Sequence, residues 1–197
     1  MRPNYAQDAP PTSLEVGGFS YPVQVDYRVW IGVLRELEEW IDDPADEAQL
    51  RHNAQIYDRV QQLVFDGRLA DEDPAAVLRA VAGFARGYPS VQMETVGETA
   101  RLFSFDEDIN AIVIAIRNQS GIDLSYRRKE PFHWWEFLLE FQTLCGDHLI
   151  LNLMEARGYR GNDPELQRRR RMCELPKRKR AGDAARLKEI GELFYNA

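Results

Sequence analysis

With 197 residues and a 44% hydrophobic share, the chain can build a sizeable core and falls outside the wholly disordered class. No apolar run approaches the roughly 20 residues that cross a bilayer, and Met1 to Pro11 lacks the apolar centre of a secretory signal. The net charge of −7 is uneven: Leu151 to Ala197 carries 12 Lys and Arg against 7 Asp and Glu, leaving 13 basic and 25 acidic residues before it, so an acidic body precedes a basic tail.

Met1 to Thr12, with Pro3, Pro10 and Pro11, reads as a flexible lead-in. Two short alternating runs, Ser13–Val16 and Phe19–Val23, flank Gly17-Gly18 and predict a β-hairpin, because both turn residues accept positive φ. Two strands alone are marginal in water, so this hairpin has to lean on other elements.

The period then becomes helical. Asp26 stands at an N-cap position before a face of Tyr27, Trp30, Ile31, Leu34, Leu37 and Ile41. A second helix carries Ile56, Tyr57, Val60, Leu63 and Val64 and stops near Gly67. Asp73-Pro74 opens a third, with Val77, Leu78, Val81 and Phe84 on its face, and Gly87 and Pro89 close it.

Ser90 to Arg101 is irregular and reads as a linker or loop. Ser104 and Glu107 have capping-box spacing ahead of Ile109, Ile112, Val113 and Ile116, and Gly121 ends that helix. Pro131 opens the most apolar helix, from Phe132 to Leu144, whose apolar residues cover most of its circumference, as in a central buried helix. Gly146-Asp147 interrupts it, with Asp147 as the N-cap of a helix carrying Leu149, Ile150, Leu153 and Met154 to Gly158. Asp163-Pro164 starts an Arg-rich helix that Pro176 breaks. A last amphipathic stretch carries Leu187, Ile190 and Phe194. The expected fold is mainly α, a single helical domain of about six to eight helices with a small N-terminal β-hairpin. Its organisation is a lead-in over 1–12, hairpin and helical domain over 13–160, and a basic helical extension over 161–197.

Reactive constellations are sparse. His52, His133 and His148 lie on different elements, without a second His or Cys at ligand spacing. Cys145, Asp147 and His148 are neighbours at a helix junction, where capping explains Asp147 better than nucleophile chemistry. The isolated Cys145 and Cys173 suggest neither a disulfide framework nor a zinc site and suit a reducing cytoplasm. Asp106, Glu107 and Asp108 could attract a cation, but acids in a first helical turn also complement the macrodipole. GxGxxG, GxxxxGK[ST] and HExxH patterns are missing. These features predict a non-enzyme without cofactor, metal or catalytic residues.

The basic patch of Arg168, Arg169, Arg170, Arg171, Lys177, Arg178, Lys179 and Arg180 could neutralise phosphates. The pI near 5.1, the lack of interleaved aromatics and the spread of four consecutive arginines around a helix argue against nucleic acid. An acidic surface, on the chain's own body or that of a neighbour, suits the patch better. The pair Trp134-Trp135 suits either a core or a binding hot spot.

Three blocks carry a resemblance. The run from Ser13-Leu14-Glu15-Val16 through Gly17-Gly18-Phe19-Ser20-Tyr21-Pro22 to Asp26-Tyr27-Arg28-Val29-Trp30 resembles the start of the siphophage family known as bacteriophage gene product fifteen. Phe103-Ser104-Phe105-Asp106-Glu107-Asp108 with Gly121-Ile122-Asp123-Leu124 resembles its middle block, and His133-Trp134-Trp135-Glu136-Phe137 with Arg157-Gly158-Tyr159 its closing block. The resemblance spans Ser13 to about Pro176 and leaves Ser90 to Ala100 and the last twenty residues unmatched.

The resemblance implies a tail assembly chaperone that coats the helical tape measure protein in the host bacterial cytoplasm until tail tube subunits displace it. The tape measure protein, and with it the major tail protein, are the implied partners; a homo-oligomer is a further expectation, and neither membrane nor nucleic acid is expected. Partner-binding positions would be Asp26, Arg28, Trp30, Trp134 and Trp135. The same residues also suit a helix cap, a carboxylate partner and core packing, respectively. The alternatives are a tail-completion or connector protein that stays in the virion, and a nucleic-acid-binding protein acting through the basic tail.

Overall fold

The computed structural model describes residues 8–41, 44–65, 67, 69, 72–88 and 102–176. The chain is mainly helical, with seven helices and one two-stranded antiparallel hairpin among these residues. Contacts gather it into two compact units, one formed by Met1–Pro89 and Glu130–Leu138, the other by Ser90–Lys129 and Leu139–Ala197.

In the first unit, β1 (Ser13–Val16) and β2 (Phe19–Pro22) pair with Ser13 opposite Pro22 and Val16 opposite Phe19. Gly17 and Gly18 make the turn at φ 58° and 88°, left-handed values that match the twist of the two strands. The hairpin does lean on its surroundings. The Tyr21 hydroxyl donates to Glu72 Oε1 at 2.6 Å, and its ring meets Phe65 edge-on.

Helix α1 (Tyr27–Glu38) begins at Asp26, whose carboxylate accepts from Arg28 N at 2.9 Å. It packs on α2 (Glu47–Phe65), where Ile56, Val60 and Val64 are fully buried. Val33 joins the buried face of α1 together with Tyr27, Trp30 and Leu34, while Ile31 and Leu37 remain half-exposed. Ile41 falls beyond the helix end, and its backbone is held by Asn53, which accepts from Ile41 N at 2.9 Å and donates to Ile41 O at 2.6 Å. This buried amide replaces a helical turn by satisfying both backbone groups itself. Helix α3 (Pro74–Ala85) has the expected cap, Asp73 accepting from Ala75 N and Ala76 N.

The apolar helix differs from its sequence pattern. Helix α5 spans Trp134–Gln142, nine residues, because Pro131, Phe132 and His133 are extended. That extended run is occupied by long-range pairing described below, which outweighs the local preference for helix.

In the second unit, α4 (Phe105–Ser120) ends at Gly121 in the left-handed conformation, φ 76°. Its capping box is different from the expected one. Ser104 makes no side-chain cap bond, and Ser104 N donates to Asp108 Oδ2 at 2.9 Å, with Asp108 in the place expected of Glu107. Helix α6 (Leu149–Gly158) is capped at His148, not Asp147, which accepts from the Asn152 side chain at 2.7 Å. Helix α7 (Pro164–Met172) begins at Asp163, which accepts from Glu165 N and Leu166 N. Phe141 of α5 packs against Phe103 and Phe105, with ring centroids 5.0 and 6.2 Å away. The lead-in through Gln7, the loop from Ser90 to Arg101 and the final amphipathic stretch lie outside the described residues.

Candidate functional site

Five positions singled out in sequence, Asp26, Arg28, Trp30, Trp134 and Trp135, converge in the first unit although more than a hundred residues separate their two groups. Backbone pairing brings them together. Tyr27 N donates to Phe132 O at 2.9 Å, and Trp134 N donates to Val25 O at 2.7 Å, so the entries to α1 and α5 form a short antiparallel bridge at Asp26 and His133.

Asp26 is the electrostatic centre of this junction. Its carboxylate accepts from Arg28 Nε and Nη2, each at 2.7 Å, and from Phe132 N at 3.2 Å. Burial alone would raise its pKa, but the Arg28 hydrogen bonds and charge, helped by Phe132 N–H, hold it below the usual carboxylate value. Arg28 lies 5.7 Å over the Tyr27 ring and is raised above its ordinary pKa by the same carboxylate.

The tryptophans are core residues. Trp30 and Trp134 have no exposed surface, and Trp135 is buried. Each indole N–H is satisfied by a backbone carbonyl: Trp30 to Gln24 O at 2.7 Å, Trp134 to Ala85 O at 3.0 Å, Trp135 to Phe84 O at 2.8 Å. Trp30 stacks on Phe84 at 4.5 Å, and Tyr27 stacks on Phe137 at 4.7 Å. In this arrangement the capping and packing roles are the ones on display, and Arg28 alone of the five presents substantial surface.

In the sequence, His133 lacks a second ligand at metal spacing and belongs to the closing block of the family resemblance. It is a structural bridge: Nε2 lies 2.9 Å from Pro11 O, and Nδ1 accepts from Trp135 N at 3.0 Å. This pattern requires the neutral ring with its proton on Nε2. Burial pushes its pKa below 6.5, against the opposing pull of Pro11 O and the Glu136 charge. Pro11 and Asp8, in the stretch read as flexible, are thereby tied down, the latter through Tyr88 Oη donating to Asp8 O at 3.3 Å.

A buried ion pair in the second unit joins two residues that the sequence shows only in separate blocks. Asp108, grouped there with an acidic cluster, is buried and accepts from Arg157 at 2.7 and 3.0 Å. The Arg157 guanidinium also donates to Leu102 O at 2.9 Å and Cys173 O at 2.7 Å, so one side chain joins the start of α4 and the end of α7. Asp106 and Glu107 stay exposed in the first turn, where they complement the helix dipole. Among the described residues, no group of three His, Cys, Asp or Glu could hold a metal ion, and no helix is long and apolar enough to cross a membrane.

Cys145 is exposed, its backbone N donating to Gln119 Oε1 at 2.8 Å. His52 Nε2 lies 3.0 Å from Glu39 O. Of the basic patch, Arg168, Arg169 and Arg171 are exposed on α7, and Arg170 leans toward Tyr159 O at 3.5 Å; Lys177, Arg178, Lys179 and Arg180 lie outside the described residues.

The model of one protein family, described as bacteriophage Gp15 protein, matches residues 7–180. That span takes in the hairpin, the Asp26 junction and the Asp108–Arg157 pair. No curated protein and no solved structure matches the chain.

Proposed function

The chain belongs to the bacteriophage Gp15 family, and on that premise we propose that it is a non-enzymatic tail assembly chaperone. Its client is the tape measure protein, with the major tail protein as the subunit that displaces it, and the work is done in the host cytoplasm without cofactor. Family membership over most of the chain is the observation that carries this reading.

Two physical features support it. Large apolar side chains stand exposed on separate helices, Leu50 on α2, Ile114 on α4 and Leu149 on α6, and an amphipathic client helix can pack against side chains of this kind. The net charge of −7 opposes precipitation of a complex with an aggregation-prone client. Release by tube subunits needs only moderate affinity, so no large hydrophobic face is required.

The test is co-expression with the tape measure protein of the same phage, with a tag on this chain. A soluble tape measure that elutes with the tag supports the proposal; an insoluble, unbound one beside a folded chain overturns it. Mass spectrometry of purified particles separates the second reading, a tail-completion or connector protein, which would be retained in virions while a chaperone is lost. Arg28→Ala is the binding variant to try first among the five junction positions, because the others remove a cap or core packing.

A further inference from the structure

Helix α7 is unusual in burying none of its nine residues. Helices in water draw most of their stability from packing an apolar face, and nine residues are too few to persist on propensity. Here both ends are fastened instead. Asp163 caps the start, and its own N–H donates to the Tyr159 hydroxyl at 3.0 Å. At the other end Cys173 O is held by Arg157. The pinned helix displays Arg168, Arg169 and Arg171, none of which has an ion-pair partner among the described residues, beside the exposed apolar side chains of Leu166 and Met172.

A complementary surface exists on the same chain type. It lies where α1 ends and α2 begins. Glu39, Asp46 and Glu47 are exposed there, and Leu50 follows on α2 at 55% exposure. Each surface thus combines several like charges with an exposed apolar side chain, the make-up of a polar rim around an apolar contact. Single exposed ion pairs contribute little, but several formed together around apolar burial are selective and strongly dependent on salt.

We infer that the arginine face of α7 docks on Glu39, Asp46 and Glu47, at the end of α1 and the start of α2, of a second copy of this chain. The contact joins two different surfaces, so it closes as a symmetric dimer where the docking is reciprocal and propagates to rings or filaments where it is not. The inference rests on charge and burial and does not depend on the client proposed above. An acidic protein surface is favoured over nucleic acid because Glu165 shares the exposed helix and the chain as a whole is acidic.

Sedimentation of the purified full chain tests it. In about 50 mM salt the weight-average mass should rise with concentration above the 22.8 kDa of one chain, and it should return to one chain in about 500 mM salt, where screening acts within a few ångströms. A variant with Arg168→Glu, Arg169→Glu and Arg171→Glu should stay monomeric with its helical circular dichroism intact. A second variant with Glu39→Arg and Glu47→Arg should do the same. Mixed, the two should associate again, since each then offers the charge the other lacks; a folding defect could not be repaired by mixing. A wild-type monomer at low salt, or two variants that remain apart when mixed, overturns the inference. So does a monomeric wild type that binds a DNA duplex through the same arginines, which would make α7 a nucleic-acid surface.

Discussion

Arg157 grips Asp108 with two hydrogen bonds of 2.7 and 3.0 Å across 49 residues of sequence, and both side chains are almost entirely buried. A buried pair of this kind adds little over an apolar pair of the same shape, but it ties its elements into one register. Removing one partner strands the other charge out of water. Two further guanidinium N–H groups donate to Leu102 O and Cys173 O, so the pair also fixes where α7 ends.

Arg157→Met should therefore destabilise the second unit by about 3–5 kcal/mol, the usual cost of leaving one buried charge unpaired. Urea unfolding with a probe in α4 measures it. Pairing Arg157→Met with Asp108→Leu should recover a large part of the loss. A double variant no better than the single would mean that the bonds to Leu102 and Cys173, and not the charge pair, hold the unit together.

Trp30 is fully buried, stacked on Phe84 and bonded to Gln24 O. Trp30→Ala should cost about 3–5 kcal/mol, within the range for large aromatic truncations. Trp30→Phe should cost less, the loss coming from an unmet carbonyl at Gln24 and a smaller ring. Chemical denaturation of the two variants gives the order; equal losses would point to the hydrogen bond as the dominant contribution.

His133 predicts a pH dependence with a definite sign. Burial lowers its pKa in the folded chain below the 6.5 of the exposed residue, so the unfolded chain takes up the proton first. Stability from this site is complete above 6.5, declines as pH falls below 6.5, and levels off once pH is below the folded pKa. Protonation also removes Nδ1 as acceptor for Trp135 N. Unfolding midpoints between about pH 7 and pH 5 should fall more for the wild type than for His133→Gln; parallel curves would show that other groups govern the slope.

Gly17 holds φ at 58°, and a Cβ built there would run into the Glu72 carboxylate. Gly17→Ala should lose about 1–2 kcal/mol from the left-handed backbone alone, with the collision added. Adding Glu72→Ala should relieve the collision but forfeit the bond from the Tyr21 hydroxyl. Thermal unfolding of the pair of variants separates the two costs; an unchanged midpoint for Gly17→Ala would mean that the hairpin contributes little to the unit.

Much of the architecture was determined by the sequence itself, because its signals are local. A Gly-Gly turn accepts left-handed φ wherever it occurs, Asp-Pro starts α3 and α7 whatever they pack on, and a 3.6-residue apolar period marks a buried face without reference to a partner. The family followed from blocks of residues in order. Only the tertiary structure decided the rest, because it depends on pairs far apart in the chain. Asp26 became more than a cap when Phe132, 106 residues later, donated to its carboxylate. The same pairing kept Phe132 and His133 extended and delayed α5 to Trp134, against their local helical pattern. Asp108 looked like one acid among three, and only its distance to Arg157 set it apart. Burial likewise decided the tryptophans: an apolar indole suits a core and a binding surface equally, and the neighbours that remove it from water are not written beside it.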